Sequence, residues 1–207
     1  MRITLVALGL LVLAGPSQTA FGQTGNFVTK DLMGWDGLID QYWVYRDGAI
    51  IGFAPNGLKF NTFLCSKRKY KDFEFSFQVW LIGKGPNSGV QIRSEIADAT
   101  KFAVRGPQCD MGGIYWGSLY GELFGGMMQA ADKDIVAKVL KKDDFNDYYI
   151  RCEGKHVTIK LNGMTTVDAD FPKLPAEGII AFQLHAGGPM MVVFRNIQFR
   201  ELTLKAP

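Results

Sequence analysis

The sequence predicts an all-β, antiparallel domain, with a two-sheet sandwich as its expected architecture. Hydrophobicity alternates with a period of two along most of the chain, turn formers separate the alternating runs, and no long amphipathic helix lies between them. The 23 lysines and arginines are scattered among 20 acidic residues, so the small positive balance does not suggest nucleic acid.

Met1-Arg2, the apolar run from Ile3 to Ala14 and the small-residue pattern Ala20-Phe21-Gly22 read as a secretory signal peptide over residues 1–22. An exported protein, periplasmic or extracellular, is expected. The run is shorter than the ~20 apolar residues that cross a bilayer, so no membrane span is expected. Residues 23–207 then form one domain.

The first clear alternation is Trp43-Val44-Tyr45, followed by the hairpin turn Asp47-Gly48. Lys67 to Lys71 is a cationic run of the kind that forms a solvated loop. In Asp72 to Val79 the odd positions are apolar and the even ones polar, which describes a half-buried strand. Similar runs are Gly89 to Arg93, Tyr148 to Cys152, His156 to Leu161, Gly178 to His185 and Met191 to Leu202, with Asn162-Gly163 as a second tight turn. Residues 129–140 are compatible with a short helix carrying Ile135, Val136, Val139 and Leu140 on one face, or with an irregular crossover. His156 reads as a surface histidine with no acid at strand spacing. Of the three cysteines, an odd number that allows at most one pair, Cys109 and Cys152 fall on apolar phases and are expected as buried thiols.

Three runs pair polar residues two apart against apolar neighbours. Gln91 and Arg93 face opposite Val90 and Ile92; Gln108 and Asp110 flank Cys109; Gln183 and His185 alternate with Phe182 and Leu184. If these strands are neighbours, their outward faces form one polar surface suited to a sugar or polyol. Amides and a guanidinium pair with hydroxyl groups, and a carboxylate and an imidazole can move protons. The glycine-rich, aromatic stretch from Gly112 to Gly126 follows, offering Tyr115, Trp116, Tyr120 and Glu122 as candidate substrate contacts.

The ordered fragments Gly34-Trp35, Trp43 to Gly48, Asp72 to Phe75, Asn87 to Arg93, Gln108-Cys109-Asp110, Leu161-Asn162-Gly163, Gly178 to His185 and Phe194 to Ile197 resemble the 3-keto-disaccharide hydrolase domain family over about Asn26 to Leu202. The resemblance implies a concanavalin A-like jelly-roll sandwich and exported proteins that act on oxidised sugars as hydrolases, lyases or hydratases. By position, Arg93, Gln108, Asp110, Gln183 and His185 match the family's polar pocket, and Asn87 and Ser88 its turn. Two acids found in many members are missing here, where Val104 to Pro107 precede Gln108 and Leu184 follows Gln183.

A 3-keto group acidifies the hydrogen on C2, so a single base can start elimination of the C1 substituent. Ordinary glycosidases need two carboxyl groups instead. On this basis Asp110 or His185 is the expected base, Arg93 the donor to the enolate, and Asn87, Gln91, Gln108 and Gln183 substrate binders. A divalent cation held by Asp110 and His185 is an alternative electrophile. A non-catalytic carbohydrate-binding module and a structural surface protein are the competing functions.

Overall fold

The computed structural model describes residues 27–202. Both the signal-peptide expectation and its cleavage point lie outside those residues. The strands in chain order are β1 (Trp35–Asp36), β2 (Trp43–Arg46), β3 (Ala49–Ala54), β4 (Thr62–Ser66), β5 (Phe73–Gly83), β6 (Ser88–Asp98), β7 (Ala103–Met111), β8 (Leu119–Glu122), β9 (Gly126–Gln129), β10 (Asn146–Glu153), β11 (His156–Leu161), β12 (Met164–Asp170), β13 (Ile179–Leu184) and β14 (Met190–Glu201). They form two antiparallel seven-stranded sheets, ordered β1-β4-β13-β6-β7-β8-β9 and β12-β11-β10-β5-β14-β3-β2. The expected two-sheet sandwich is therefore the observed architecture, and no helix among the described residues is long and apolar enough to cross a membrane.

Period-two alternation explains how the sheets meet. β5 turns Phe73, Phe75, Phe77 and Val79 into the space between them, where they join Val90 and Ile92 of β6 and Ile180, Phe182 and Leu184 of β13. Rings pack at the centre, with Phe182 4.7 Å from Phe194 and Phe77 stacked 5.5 Å from Tyr148. The helix-compatible segment forms a helix over Lys133–Val139, started by Asp132, whose side chain accepts from the Asp134 and Ile135 amides. Its Val136 and Val139 pack on the core as the pattern suggests.

A second apolar cluster lies on the opposite face of the first sheet. Phe63, Cys65, Val104, Ile179 and Ala181 are buried there with Phe102 beside them. The β6–β7 hairpin covers that region, and Thr62 ties to it by donating to the Lys101 carbonyl at 2.7 Å. His156 is a surface histidine as expected, but strand pairing brings it two acids that its own strand does not hold: its ring nitrogens lie 2.8 Å from Asp170 and 3.0 Å from Asp168, an exposed cluster on the other sheet.

All three cysteines are free and buried. Burial pushes the Cys65 and Cys152 thiols up to about 12 and the Cys109 thiol well above its ordinary value. Only the thiolate is a nucleophile. The folded protein is thus expected to resist a thiol reagent at pH 8 and the denatured chain to take three labels, as counted by intact mass. Rapid native labelling of Cys109 or Cys152 would contradict the strand phases.

Candidate functional site

The three polar runs are neighbours, because β13, β6 and β7 lie side by side. Ala181 pairs with Gln91, Gln91 with Gln108 and Gln108 with Tyr120, so one row crosses four strands on the face away from the main core. One step along, Gly89 pairs with Asp110. Gly89 is what lets Gln108 lie flat over the sheet, since a Cβ there would sit 2.6 Å from the Gln108 side chain.

Gln91, Gln108 and Gln183 are buried. Their amides form a line: Gln91 is 2.9 Å from Gln108, and Gln108 is 3.4 Å from Gln183. The Gln183 amide nitrogen is buried with no partner among the described residues. A buried unpaired donor is costly and calls for a ligand or water group.

Asp110 stands beside this line and is only 5% exposed. Its backbone is held three ways: its amide donates to the Ser118 carbonyl at 2.9 Å, and its carbonyl accepts from the Gly117 amide and the Tyr148 hydroxyl, each at 3.1 Å. Its carboxylate accepts from the Met111 amide at 3.0 Å. Burial raises the carboxyl from 3.8 to about 7, and the charge of Glu122 adds to the rise against the lowering effect of the Met111 and Gln108 hydrogen bonds.

That shift has a consequence for stability. The folded value lies above the unfolded one, so between about pH 4 and pH 7 the folded state holds the extra proton. Stability from this group is full below pH 4 and lost as pH rises to about 7, by roughly 4 kcal/mol at most. Urea melts should show this fall, and Asp110→Asn should flatten it; an unchanged slope in the variant would place the titrating group elsewhere.

Glu122 accepts from the Asn61 amide at 3.0 Å, and the Asn61 carbonyl accepts from the Ala186 amide at 2.8 Å. Asn61, which alternation gave no reason to single out, therefore links β8 to the end of β13. His185 sits beside this link, half-buried, with Nδ1 2.6 Å from the Ala186 carbonyl. A carbonyl only accepts, so Nδ1 carries the proton and Nε2 remains available. Asn87 and His185 line the same small hollow. Tyr115 and Tyr120 make an edge-on ring pair 6.2 Å apart, and Tyr120 is the β8 partner of Gln108.

Two expectations are corrected. Arg93 does not face the cluster: its φ of 45° falls at a register break between Gln91 and Glu95, which cancels the alternation. Its guanidinium is buried instead against the Asp72 carboxylate at 2.7 Å, and it also donates to the carbonyls of Lys71, Gly154 and Pro175. Trp116 is not a surface ring either, because the turn after Asp110 carries it into the core between the sheets, 7% exposed. No group of three or more His, Cys, Asp or Glu residues is placed to share a metal ion among the described residues, so a cation on Asp110 and His185 would lack a third such ligand.

Among solved structures, the chain is similar to a candidate glycosyl hydrolase from Parabacteroides distasonis ATCC 8503, at 22% identity and TM-score 0.62, covering 84% of this chain and 96% of that one. It is also similar to the carbohydrate-binding module CBM66 from Bacillus subtilis, at 16% identity and TM-score 0.60, covering 81% and 96%. A third is the exoplasmic/lumenal domain of VIP36, solved with Ca2+ and Man3GlcNAc, at 10% identity and TM-score 0.58, covering 87% and 90%. At these identities the likeness shows the shared sandwich. No curated protein matches. The family model for the 3-keto-alpha-glucoside-1,2-lyase-like domain matches residues 24–200, nearly the whole described sandwich, and the chain belongs to that family.

Proposed function

We propose that this protein is an exported enzyme that cleaves 3-keto-glycosides by β-elimination, with Asp110 as the base. The observation that carries this is a buried carboxyl poised near pH 7 beside a line of buried amides. A general base works best when its pKa lies near the working pH, and burial, with a smaller contribution from the charge of Glu122, supplies that tuning.

In this reaction the Asp110 carboxylate takes the proton from C2, and the electron pair of the C–H bond moves into a C2–C3 enolate. The enolate then re-forms the ketone, makes the C1–C2 double bond and expels the C1 oxygen with its substituent. The leaving oxygen takes back a proton, which the newly protonated Asp110 can supply. Adding water across the double bond afterwards gives net hydrolysis. With Arg93 engaged elsewhere, the Gln183 amide nitrogen is the donor that receives the 3-keto oxygen. Tyr115 and Tyr120 supply amphipathic rings at the entrance.

The test is incubation with 3-keto-glycosides and with their unoxidised parents, followed by NMR. Selective loss of the keto sugars with a new vinylic C1 proton is expected. Saturable binding without consumption would favour the non-catalytic module that the likeness to CBM66 suggests.

A further inference from the structure

The β6–β7 hairpin does not continue the plane of its sheet. Both of its strands bend at one level: β6 loses register between Gln91 and Glu95, with Arg93 at φ 45°, and β7 carries Gly106 at φ 147°. Only glycine fits the second position, since a Cβ there would lie 2.2 Å from the Ser94 hydroxyl.

Register gives the direction of the bend. Along β6 the pairing passes from Val90 with Phe182 to Ser94 with Ile179, so an unbent hairpin would carry Lys101 beyond the Ile179 end of β13. Thr62 of β4 pairs with Leu184, at the opposite end of β13. Yet the Thr62 hydroxyl donates to the Lys101 carbonyl at 2.7 Å, and the Lys101 ammonium lies 5.9 Å from the centre of the Phe60 ring. Phe102 packs on the cluster of Phe63, Cys65, Val104, Ile179 and Ala181. The hairpin therefore doubles back over the outward face of β13 to reach β4.

The outward residues of β13 beneath this roof are Ala181 and Gln183, both 0% exposed. Gln183 follows Phe182, the partner of Val90, and so stands level with Gly89 and, beyond it, Asp110. Two strand spacings, ~10 Å, separate Gln183 from Asp110, a gap that one sugar ring spans. On the far side of Asp110 is β8, where Tyr120 pairs with Gln108 and its ring meets that of Tyr115, 37% exposed. The site is thus covered at its Gln183 end and lined by rings at the other.

A sugar with its 3-keto oxygen on Gln183 and its C2 at Asp110 has a fixed direction. C4 is the neighbour of C3 and lies under the hairpin; C1 is the neighbour of C2 and points towards β8. We propose that the distal β6–β7 hairpin makes this site a blind pocket for the non-reducing terminal unit of a saccharide, which excludes an inner unit extended at O4. The hairpin is then the specificity-determining element, and the C1 substituent departs past Tyr120 and Tyr115. The direction of the sugar rests on the 3-keto reading above; the roof over Gln183 does not.

The roof is tested without any sugar. Replacing residues 97–103 with an Asn-Gly turn joins the paired residues Ile96 and Val104 directly and removes the contacts of Lys101 and Phe102. Hydrogen exchange at the Gln183 side-chain amide, followed by NMR, should be at least about ten-fold faster than in the parent while the backbone amides of β13 stay protected. Phe102→Gly, which suits the φ of 50° at that position, gives the same test if the shortened hairpin fails to fold. Unchanged exchange in a folded variant would overturn the roof.

Selectivity is tested with two isomers of one disaccharide glycoside, the 3-keto group on the non-reducing unit or on the inner, 4-O-substituted unit. The parent should consume the first at least about 10²-fold faster, and the folded variant should narrow that ratio at least about ten-fold. Equal consumption by the parent would keep the proposed reaction and overturn this inference. Consumption of neither isomer, with Gln183 exchange responding as expected, would remove the 3-keto reading and uphold the roof.

Discussion

Asp110→Asn is expected to lower turnover of a 3-keto-glycoside by about 10²–10⁴-fold, the usual contribution of a general base. The change keeps the shape of the side chain while removing its proton affinity. It should not unfold the protein, because Asp110 is a carboxyl already disfavoured in its charged form by burial. At pH 8 the variant should be more stable than the parent, since the buried charge has gone. Loss of activity with a raised melting point is hard to attribute to misfolding. The parent rate should climb through about pH 7 as the carboxyl ionises. His185→Ala, at the end of β13 with one ring nitrogen tied to Ala186, should cost less.

Arg93→Leu should destabilise the fold by about 3–5 kcal/mol, the cost of breaking a buried ion pair from one side. Arg93 and Asp72 are 1% and 3% exposed at the side chain, and Asp72 also accepts from the Gly154 amide at 2.8 Å. The pair joins β6 to the segments before β5 and between β10 and β11, so it fastens one sheet to the other. Gly178 packs so closely that a Cβ there would lie 2.2 Å from the Arg93 carbonyl carbon. Urea denaturation measures the loss. In buffer where the variant remains folded, its turnover should stay within a few-fold of the parent, because Arg93 does not reach the amide line. A large rate loss with unchanged stability would return Arg93 to the chemistry.

Alternation was sufficient to place Val90, Cys109, Phe182 and Leu184 in the core and to bring Gln91, Gln108, Asp110 and Gln183 onto one face. Each of those strands keeps its phase over the stretch that matters. Arg93 was misplaced because a bulge breaks the phase, and an arginine adopting a positive φ leaves no mark in a hydrophobicity pattern. Trp116 follows a glycine-rich turn that has no period to read. Alternation turns that face outward, whereas Gln91, Gln108, Asp110 and Gln183 are buried on it, and burial is the main cause of the raised Asp110 carboxyl, which no local pattern could disclose. The Asn61–Glu122 hydrogen bond beside them joins residues 61 apart in sequence.

The most direct measurement is exchange at C2. In D2O, with a 3-keto-glycoside or its C1-unsubstituted analogue, the parent protein should wash deuterium into C2 at a rate at least ~10²-fold above Asp110→Asn, with no exchange in the unoxidised parent sugar. Equal exchange by the two proteins, or elimination without any C2 exchange or C2 isotope effect, would contradict proton removal by Asp110.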